Sequence, residues 1–127
     1  MASDRVKTVQ EQLEKETEGF RSLQRDATKG YQNRQQVVQQ LNESELVMKE
    51  LELLDDESVV YKLIGPCLIR QDLVEAKANV EKRIEYIKKE ADRLENTLKG
   101  LEGRQNDKQQ EVIKLQQKLQ KLMSPSA

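Results

Sequence analysis

The sequence predicts a mainly α protein in which two long helices form an antiparallel coiled-coil helical hairpin, with one short β-hairpin between the helices. Two stretches of similar length carry apolar residues at heptad spacing, and a β-branched segment with a Gly-Pro break separates them. The composition agrees, because 35% charged residues, 3% aromatic residues and no Trp leave little to fill a compact globular core. We expect a single domain over residues 1–127, with short tails.

The first heptad frame predicts a helix over residues 4–53. Most of its core positions are apolar, which is the pattern of a coiled-coil seam. These positions are Val6, Val9, Leu13, Glu16, Phe20, Leu23, Ala27, Gly30, Arg34, Val37, Leu41, Ser44, Met48 and Leu51.

Residues 58–71 predict the β-hairpin, because the helical period there gives way to β-branched and apolar residues around Gly65-Pro66. Pro66 has no N–H to donate to a strand ladder, so the chain is expected to reverse at or beside it. The acidic run at residues 55–57 lacks the spacing of a calcium loop and predicts a turn after Leu54. The residues that we assign to this oligomerisation hairpin are Val59, Val60, Tyr61, Leu63, Ile64, Gly65, Pro66, Leu68 and Ile69.

Both faces of the predicted first strand are apolar. One face carries Val59, Tyr61 and Leu63, and the other carries Val60, Lys62 and Ile64. An isolated two-stranded hairpin is marginal in water, and a strand that is apolar on both faces needs cover on both. We therefore expect hairpins from several chains to join edge to edge in a shared sheet or barrel, which also removes exposed strand edges. The alternative is a hairpin that folds against its own coiled coil.

The second heptad frame predicts a helix over residues 73–122. Asp72 is expected to cap this helix with Glu75 three residues later, and Ser124-Pro125 is expected to stop it. The core positions of the frame are Leu73, Lys77, Val80, Ile84, Ile87, Ala91, Leu94, Leu98, Leu101, Gln105, Lys108, Val112, Leu115, Leu119 and Leu122.

Glycines inside both frames predict weak points in the coil. Gly19 and Gly30 lie in the first predicted helix, and Gly100 and Gly103 lie in the second. Each costs about 0.8 to 1 kcal/mol relative to Ala in a helix interior. The polar core residues that follow Gly103 add to the effect, so the coil is expected to be weaker there than near the hairpin.

The two predicted helices have nearly the same length, about 50 residues or roughly 75 Å at 1.5 Å per residue. If they fold back on each other, the start of the first lies beside the end of the second. Because terminal helical turns fray, we hypothesise that part of this tip contacts non-native chains. The alternative is that its residues form only the last layers of the coil. The tip residues are Val6, Val9, Leu13, Val112, Ile113, Leu115, Leu119, Leu122 and Met123.

Charge and composition argue against several classes of function. The net charge is −1 and no Lys- or Arg-rich block is present, which argues against a nucleic-acid partner. No apolar run approaches the roughly 18 to 20 residues that span a bilayer, and the N-terminus does not resemble a signal peptide. Cys67 is the single cysteine, so an intracellular, reducing compartment is expected.

Catalytic chemistry is not indicated either. The sequence has no His, no glycine-rich phosphate loop and one Cys without a base nearby in sequence, so nucleophilic and zinc chemistry lack their usual residues. We expect no enzyme activity, no cofactor and no metal site. Cys67 is interpreted as a small apolar residue.

The hairpin and its flanks resemble the β-type prefoldin subunits of eukaryotes. The likeness lies in VYKLIGP at residues 60–66, in residues 68–69 and 71–72, and in AKANVEKRI at residues 76–84. It covers essentially the whole chain, but heptads occur in many proteins, so the hairpin segment is the specific part. A single hairpin, where α-type subunits have two, indicates the β class.

The resemblance implies a hetero-hexamer of two α-type and four β-type subunits, in which the hairpins form β-barrels and six coiled coils project as tentacles. It implies an ATP-independent chaperone that captures unfolded or nascent polypeptides, actin and tubulin among them, and delivers them to the cytosolic chaperonin. The expected partners are therefore other prefoldin subunits, the chaperonin and unfolded clients in the cytoplasm, with no nucleic acid and no membrane.

A structural coiled-coil tether or scaffold without client binding is the competing interpretation, because heptads alone allow a coil that only spaces other proteins. The doubly apolar hairpin argues against it, since a spacer needs no oligomerising β segment. A stable monomer or simple dimer that recruits no α-type subunit would favour the tether.

Overall fold

The computed structural model describes the backbone of residues 2–124 and the side chains of residues 3–124. The predicted fold class is confirmed, since two long helices flank one short antiparallel β-hairpin. The elements are helix α1 (Ala2–Glu52), strand β1 (Val60–Ile64), strand β2 (Cys67–Gln71) and helix α2 (Leu73–Met123). The predicted helix bounds differ from these by at most two residues, and Val59 precedes β1. The predicted stop at Pro125 and the tails at residues 1 and 125–127 lie outside the described residues.

The described chain divides into two compact units. Within residues 2–124, the terminal unit comprises residues 2–32 and 96–124, and the hairpin unit comprises residues 33–95. Each unit contains one segment of α1 and one segment of α2. A single domain over residues 1–127 stays a prediction.

In the terminal unit, the segments of α1 and α2 run antiparallel. Glu16 near the start of α1 pairs with Lys108, whereas Gly30, further along α1, packs against the earlier residue Leu98. Apolar side chains buried in this unit are those of Val9, Ala27, Leu98 and Leu101. The unit therefore has a narrow apolar seam between two helical segments.

In the hairpin unit, the two helical segments are also antiparallel. Arg34 of α1 pairs with Glu95 of α2, while Leu51 of α1 and Ala76 of α2 lie beside the base of the hairpin. Leu51, Ala76 and Ile87 are the buried apolar residues of this unit. The hairpin is thus anchored at the end of a helical pair.

Both predicted heptad frames are confirmed, because every core position given above is buried or half-buried. Polar members of the frames follow the same rule, since Ser44 is buried and Lys77 is half-buried. Most other helical residues are exposed. The period of the apolar residues therefore determines which face of each helix is covered.

The two strands pair antiparallel, with a register that runs from Val60 opposite Gln71 to Ile64 opposite Cys67. Gly65 and Pro66 form the two-residue turn, and the φ angle of Gly65 is 56°. Proline fixes its own φ near −65°, so the turn has the sign pattern of type II′. A side chain would strain the backbone at the first position, so the Gly-Pro pair fixes the strand register. The predicted reversal at Pro66 is confirmed.

The segments on either side of the hairpin are ordered by hydrogen bonds. The Asp55 Oδ1 atom accepts the backbone N–H of Glu57 at 3.1 Å and the hydroxyl of Ser58 at 2.9 Å, which makes an Asx turn. The predicted acidic turn is therefore confirmed. On the other side, the carbonyl of Asp72 accepts the N–H of Ala76 at 2.8 Å, as expected of the residue that caps α2.

The helical glycines are not equivalent in their contacts, and their predicted weakening of the coil stays a prediction. A Cβ atom at Gly30 would lie 2.5 Å from Leu98 Cδ2, well inside van der Waals contact. Gly30 therefore allows the two helical segments of the terminal unit to approach closely. A Cβ atom at Gly100 or Gly103 would meet no atom within 4 Å. Those two residues only lower helix propensity.

We expect Gly30→Ala to lower the free energy of unfolding by about 1 to 3 kcal/mol, because Leu98 or the backbone must shift to admit a methyl group. Gly100→Ala is the matched control and should raise the free energy of unfolding by up to about 1 kcal/mol. Urea titrations followed by circular dichroism measure both changes. Equal stability of the two variants would contradict the close packing at Leu98.

Candidate functional site

The hairpin presents apolar side chains to solvent on both faces, and we call these side chains the hairpin surface. On one face Leu63 and Leu68 are direct cross-strand partners, 68% and 66% exposed. On the other face Ile64 is paired with Cys67, and Ile69 is also exposed. The hairpin surface consists of Val59, Tyr61, Leu63, Ile64, Leu68 and Ile69.

The helices of the chain cover only the first rung of the hairpin. Val60 and Gln71 are half-buried, whereas every residue from 61 to 70 is exposed. Within the described residues the sheet has two strands, so the outer edges of β1 and β2 have no strand beside them. The alternative in which the hairpin folds against its own coiled coil is wrong for residues 61–70. Exposed apolar faces and open edges together are the features of a surface built to be covered.

The predicted tip residues all belong to the terminal unit, but they are not equally exposed. Val9 is buried, whereas Ile113 and Met123 are 45% and 62% exposed. The half-buried residues are Val6, Leu13, Val112, Leu115, Leu119 and Leu122. Val9 is thus a layer of the coil, as the alternative expected, and Ile113 and Met123 are the apolar side chains at the tip that solvent reaches most.

Among the shallow grooves at the tip, two each contain two of the tip residues. The larger, of about 460 Å³, has Val9 and Leu122 as its apolar members. The smaller, of about 220 Å³, places Ile113 beside Phe20 and Val112. The heptad frame places Phe20 in the coil but not at the tip, because the cross-helix partners of a seam residue cannot be read from its heptad position. The tip therefore offers small apolar concavities with polar rims.

Charged residues at core positions form ion pairs that the heptad frames do not reveal. Lys108 Nζ lies 2.8 Å from Glu16 Oε2, and both residues are half-buried core positions of their frames. The aliphatic part of Lys108 passes Gly19, where a Cβ atom would lie 3.4 Å from its Cε atom. A Cβ atom at that distance would make ordinary van der Waals contact, so the lysine stem packs along this part of α1 while its ammonium group reaches the carboxylate.

We expect a double-mutant cycle of Glu16→Gln and Lys108→Gln to give a coupling free energy of about 0.5 to 1 kcal/mol, because the pair is partly exposed. The coupling should decrease when salt is added. Urea unfolding at low and at high ionic strength measures it. The exposed pair of Arg25 and Glu18, 3.1 Å apart, is the comparison and should couple less. A coupling near zero at low salt would show that the contact between Glu16 and Lys108 has no energetic role.

Metal-binding and membrane-spanning features are not found in the described part of the chain. No group of three or more Cys, Asp or Glu residues there could hold a metal ion. Neither helix, over residues 2–124, is long and apolar enough to cross a membrane. Cys67 is exposed in β2. The pKa of Arg93 is raised above its usual value by a 2.8 Å hydrogen bond to Glu90, so the guanidinium stays charged.

The chain is similar to known proteins over most of its length. The family described as Prefoldin subunit matches residues 14–124. The chain is 46% identical to Prefoldin subunit 6 of Arabidopsis thaliana, over 100% of this chain and 98% of the relative. It is 42% identical to Prefoldin subunit 6 of Homo sapiens, over 94% of this chain and 92% of the relative.

A solved structure has the same fold. The crystal structure of the prefoldin beta subunit from Thermococcus strain KS-1 matches with a TM-score of 0.68 and 25% identity, over 90% of this chain and 95% of that chain. The predicted resemblance to β-type prefoldin subunits, and to eukaryotic subunit 6 among them, is therefore confirmed.

Proposed function

The chain belongs to the prefoldin subunit family, and from that premise we propose that it works in a hetero-hexameric complex that captures unfolded or nascent polypeptides. It joins two α-type and other β-type subunits through its hairpin. The complex acts in the cytoplasm without ATP and delivers clients such as actin and tubulin to the cytosolic chaperonin. The observation that carries the proposal is the hairpin surface, which is apolar on both faces and exposed.

The energetics of the hairpin favour assembly. Full burial of a Leu, Ile or Val side chain stabilises by about 1.5 to 3 kcal/mol, and six apolar side chains of this size or larger are exposed on the hairpin. The cost of association offsets part of that gain, about 4 to 15 kcal/mol. Strand pairing along the free edges adds backbone hydrogen bonds and removes the risk of aggregation. A closed sheet shared by several subunits satisfies both requirements.

We expect the double substitution Leu63→Glu with Leu68→Glu to abolish incorporation into the complex, because it places two carboxylates where an apolar face must be covered. Light scattering of the chain mixed with the other prefoldin subunits measures incorporation. The control is Tyr86→Glu, because Tyr86 is equally exposed, at 65%, but lies on α2 outside the hairpin. Assembly of the double variant at wild-type level would refute the role of the hairpin surface.

Client contact at the tip suits weak and reversible holding. The exposed Ile113 and Met123 and the two shallow grooves offer limited apolar area, so a single tip contributes little affinity. Several subunits that act on one client raise the avidity without any new type of contact. Binding of this kind tolerates many sequences, because apolar contact is not directional.

We expect Ile113→Ser with Met123→Ser to raise the concentration of complex needed for half-maximal suppression of actin aggregation by about three- to tenfold. Each substitution removes part of the burial free energy of one side chain, and a tenfold change corresponds to about 1.4 kcal/mol. The control is Val38→Ser with Leu46→Ser, two exposed apolar residues of the hairpin unit. Both variants should assemble normally. If neither variant changes the suppression, the tip does not hold clients. If the wild-type complex suppresses no aggregation, the tether interpretation applies.

A further inference from the structure

Both outer edges of the β-hairpin are able to pair with a further strand. Strands β1 and β2 have five residues each and contain no Pro, so every residue keeps an N–H group for a strand ladder. The proline of the hairpin, Pro66, lies in the turn, where it protects neither edge. With an open edge on each side, the hairpin can be extended in both directions.

The two strands of the hairpin already complement each other, and a second copy of the chain brings the same two strands. Within the chain, β1 pairs antiparallel with β2 over five residue pairs. If hairpins stand side by side in the same orientation, β2 of one copy lies beside β1 of the next. That contact is again antiparallel and joins the same two strands. Copies of this chain are therefore sufficient to continue the sheet.

The charges on the hairpin allow this head-to-tail contact. Lys62 is paired with Ile69 and Arg70 with Tyr61, so the two cations lie on opposite faces of the hairpin. A register between copies that keeps each face continuous differs from the observed one by an even number of residues. Lys62 of one copy therefore never lies opposite Arg70 of the next copy.

Two-fold contacts between copies are less favourable. Full antiparallel overlap of β1 with β1 of a second copy centres on Lys62 and places the two lysines opposite each other. Like charges in that position are destabilising. Overlap of β2 with β2 avoids the repulsion but leaves both β1 edges open, so the edges are not removed. Only the head-to-tail contact can use every edge.

We propose that this chain, without any other subunit, forms a ring of four copies in which β2 of each hairpin pairs with β1 of the next. Head-to-tail contacts form rings when the rotation closes. Four hairpins supply eight strands, and a barrel of about eight strands is just wide enough for side chains to fill its interior. The closed barrel covers one apolar face of every hairpin and leaves no open edge.

The inward face of this barrel is the one that carries Leu63 and Leu68. The other face has Lys62 in the middle of the five residue pairs, where an inward ammonium group would be buried without a partner. Arg70 shares the face of Leu63, but it lies near the end of β2 that leads into α2, so its guanidinium reaches solvent at the mouth of the barrel. The leucine pairs of four copies then fill the interior.

The ring goes beyond the proposed function, because it requires no α-type subunit. It covers the hairpin surface of chains that have no partner, and so prevents their aggregation through open strand edges. The same two edges serve in the ring and in the hetero-hexamer. Recruitment of other subunits therefore requires that the ring opens first.

The mass of the purified full chain in the micromolar range tests the ring. We expect light scattering to give four times the chain mass of 14.8 kDa. Leu63→Glu with Leu68→Glu should reduce the mass fourfold, whereas Tyr86→Glu, on α2, should not change it. Circular dichroism confirms that each variant keeps its helices, and if the double variant is unfolded the wild-type mass decides alone. A wild-type mass of one or two chains, or an open series of larger masses, would overturn the proposal.

Disulfide formation tests the head-to-tail arrangement. One tagged chain carries Cys67→Ser and Lys62→Cys, so its single thiol is in β1. It is refolded with chains whose single thiol is in β2 on the same face, at Cys67 itself or, with Cys67→Ser, at Ile69→Cys or Gln71→Cys. We expect a mixed disulfide with one of these three chains after oxidation. The matched control has its thiol on the opposite face, at Leu68→Cys with Cys67→Ser, and should form none with the tagged chain.

The tagged chain should also form no disulfide with itself. Identical positions of neighbouring copies in the ring are two strands apart, about 9.5 Å, which is beyond the reach of a disulfide. Disulfides between two tagged chains would show that β1 pairs with β1. That result, or the absence of a mixed disulfide with all three chains, would overturn the head-to-tail ring.

The outcomes for the ring and for the proposed function are independent. A chain that is monomeric alone but assembles with α-type subunits contradicts the ring and leaves the proposed function intact. A chain that forms the ring but recruits no other prefoldin subunit contradicts the proposed hetero-hexamer and leaves the ring intact.

Discussion

The β-hairpin carries apolar side chains on both faces, and the helices of its own chain cover only the rung formed by Val60 and Gln71. The local structure around it serves to hold this pair of strands out from the helices. The Gly65-Pro66 turn fixes the register, the Asx turn at Asp55 follows the end of α1, and Asp72 starts α2 directly after β2. All three features form between residues that are close in sequence. Burial of the hairpin, by contrast, requires other chains.

The terminal unit depends on a different constraint, which is the register of two helical segments. Apolar layers alone permit a slip by one heptad, because one leucine or valine replaces another in the seam. Two contacts oppose the slip. Leu98 packs against Gly30, where a Cβ atom would clash with it, and Lys108 forms an ion pair with Glu16 across the seam. A displaced register would press Leu98 against a larger residue and would separate the ion pair. Polar and glycine positions that weaken a single helix therefore add specificity to the pair.

Much of the fold could be predicted from sequence because the determining signals are local. A heptad period predicts which face of a helix is covered, and a β-branched run with Gly-Pro predicts where the chain reverses. The role of Gly30 could not be predicted, because a glycine costs the same helix propensity whether Leu98 lies opposite or not. The ion pair between Lys108 and Glu16 could not be predicted either. Antiparallel pairing joins residues far apart in the chain, and the exact facing of two seams is set by packing.

The hairpin surface could be predicted from sequence as well as the two strands that carry it. The residues of the hairpin surface follow one another in sequence, so their exposure follows from the lack of any local cover. The groove of about 380 Å³ at the base of the hairpin was not predicted, because its lining residues Lys62 and Arg83 belong to different elements and only the folded unit brings them to one groove. The tip could be predicted only in part. Its residues were found by period, but the difference between buried Val9 and exposed Met123 depends on where α1 and α2 end against each other.

The two proposed roles, assembly at the hairpin and client contact at the tip, use surfaces that differ in how far they are exposed. A surface as apolar and open as the hairpin is stable in water only when it is permanently covered, so it suits assembly. A surface that had to release its partners could not be so open, because it would bind copies of itself as readily as clients. At the tip most apolar residues are half-buried in their own seam and only Ile113 and Met123 are exposed. Contacts there gain little free energy individually, so each one opens readily, and only several of them together hold a client.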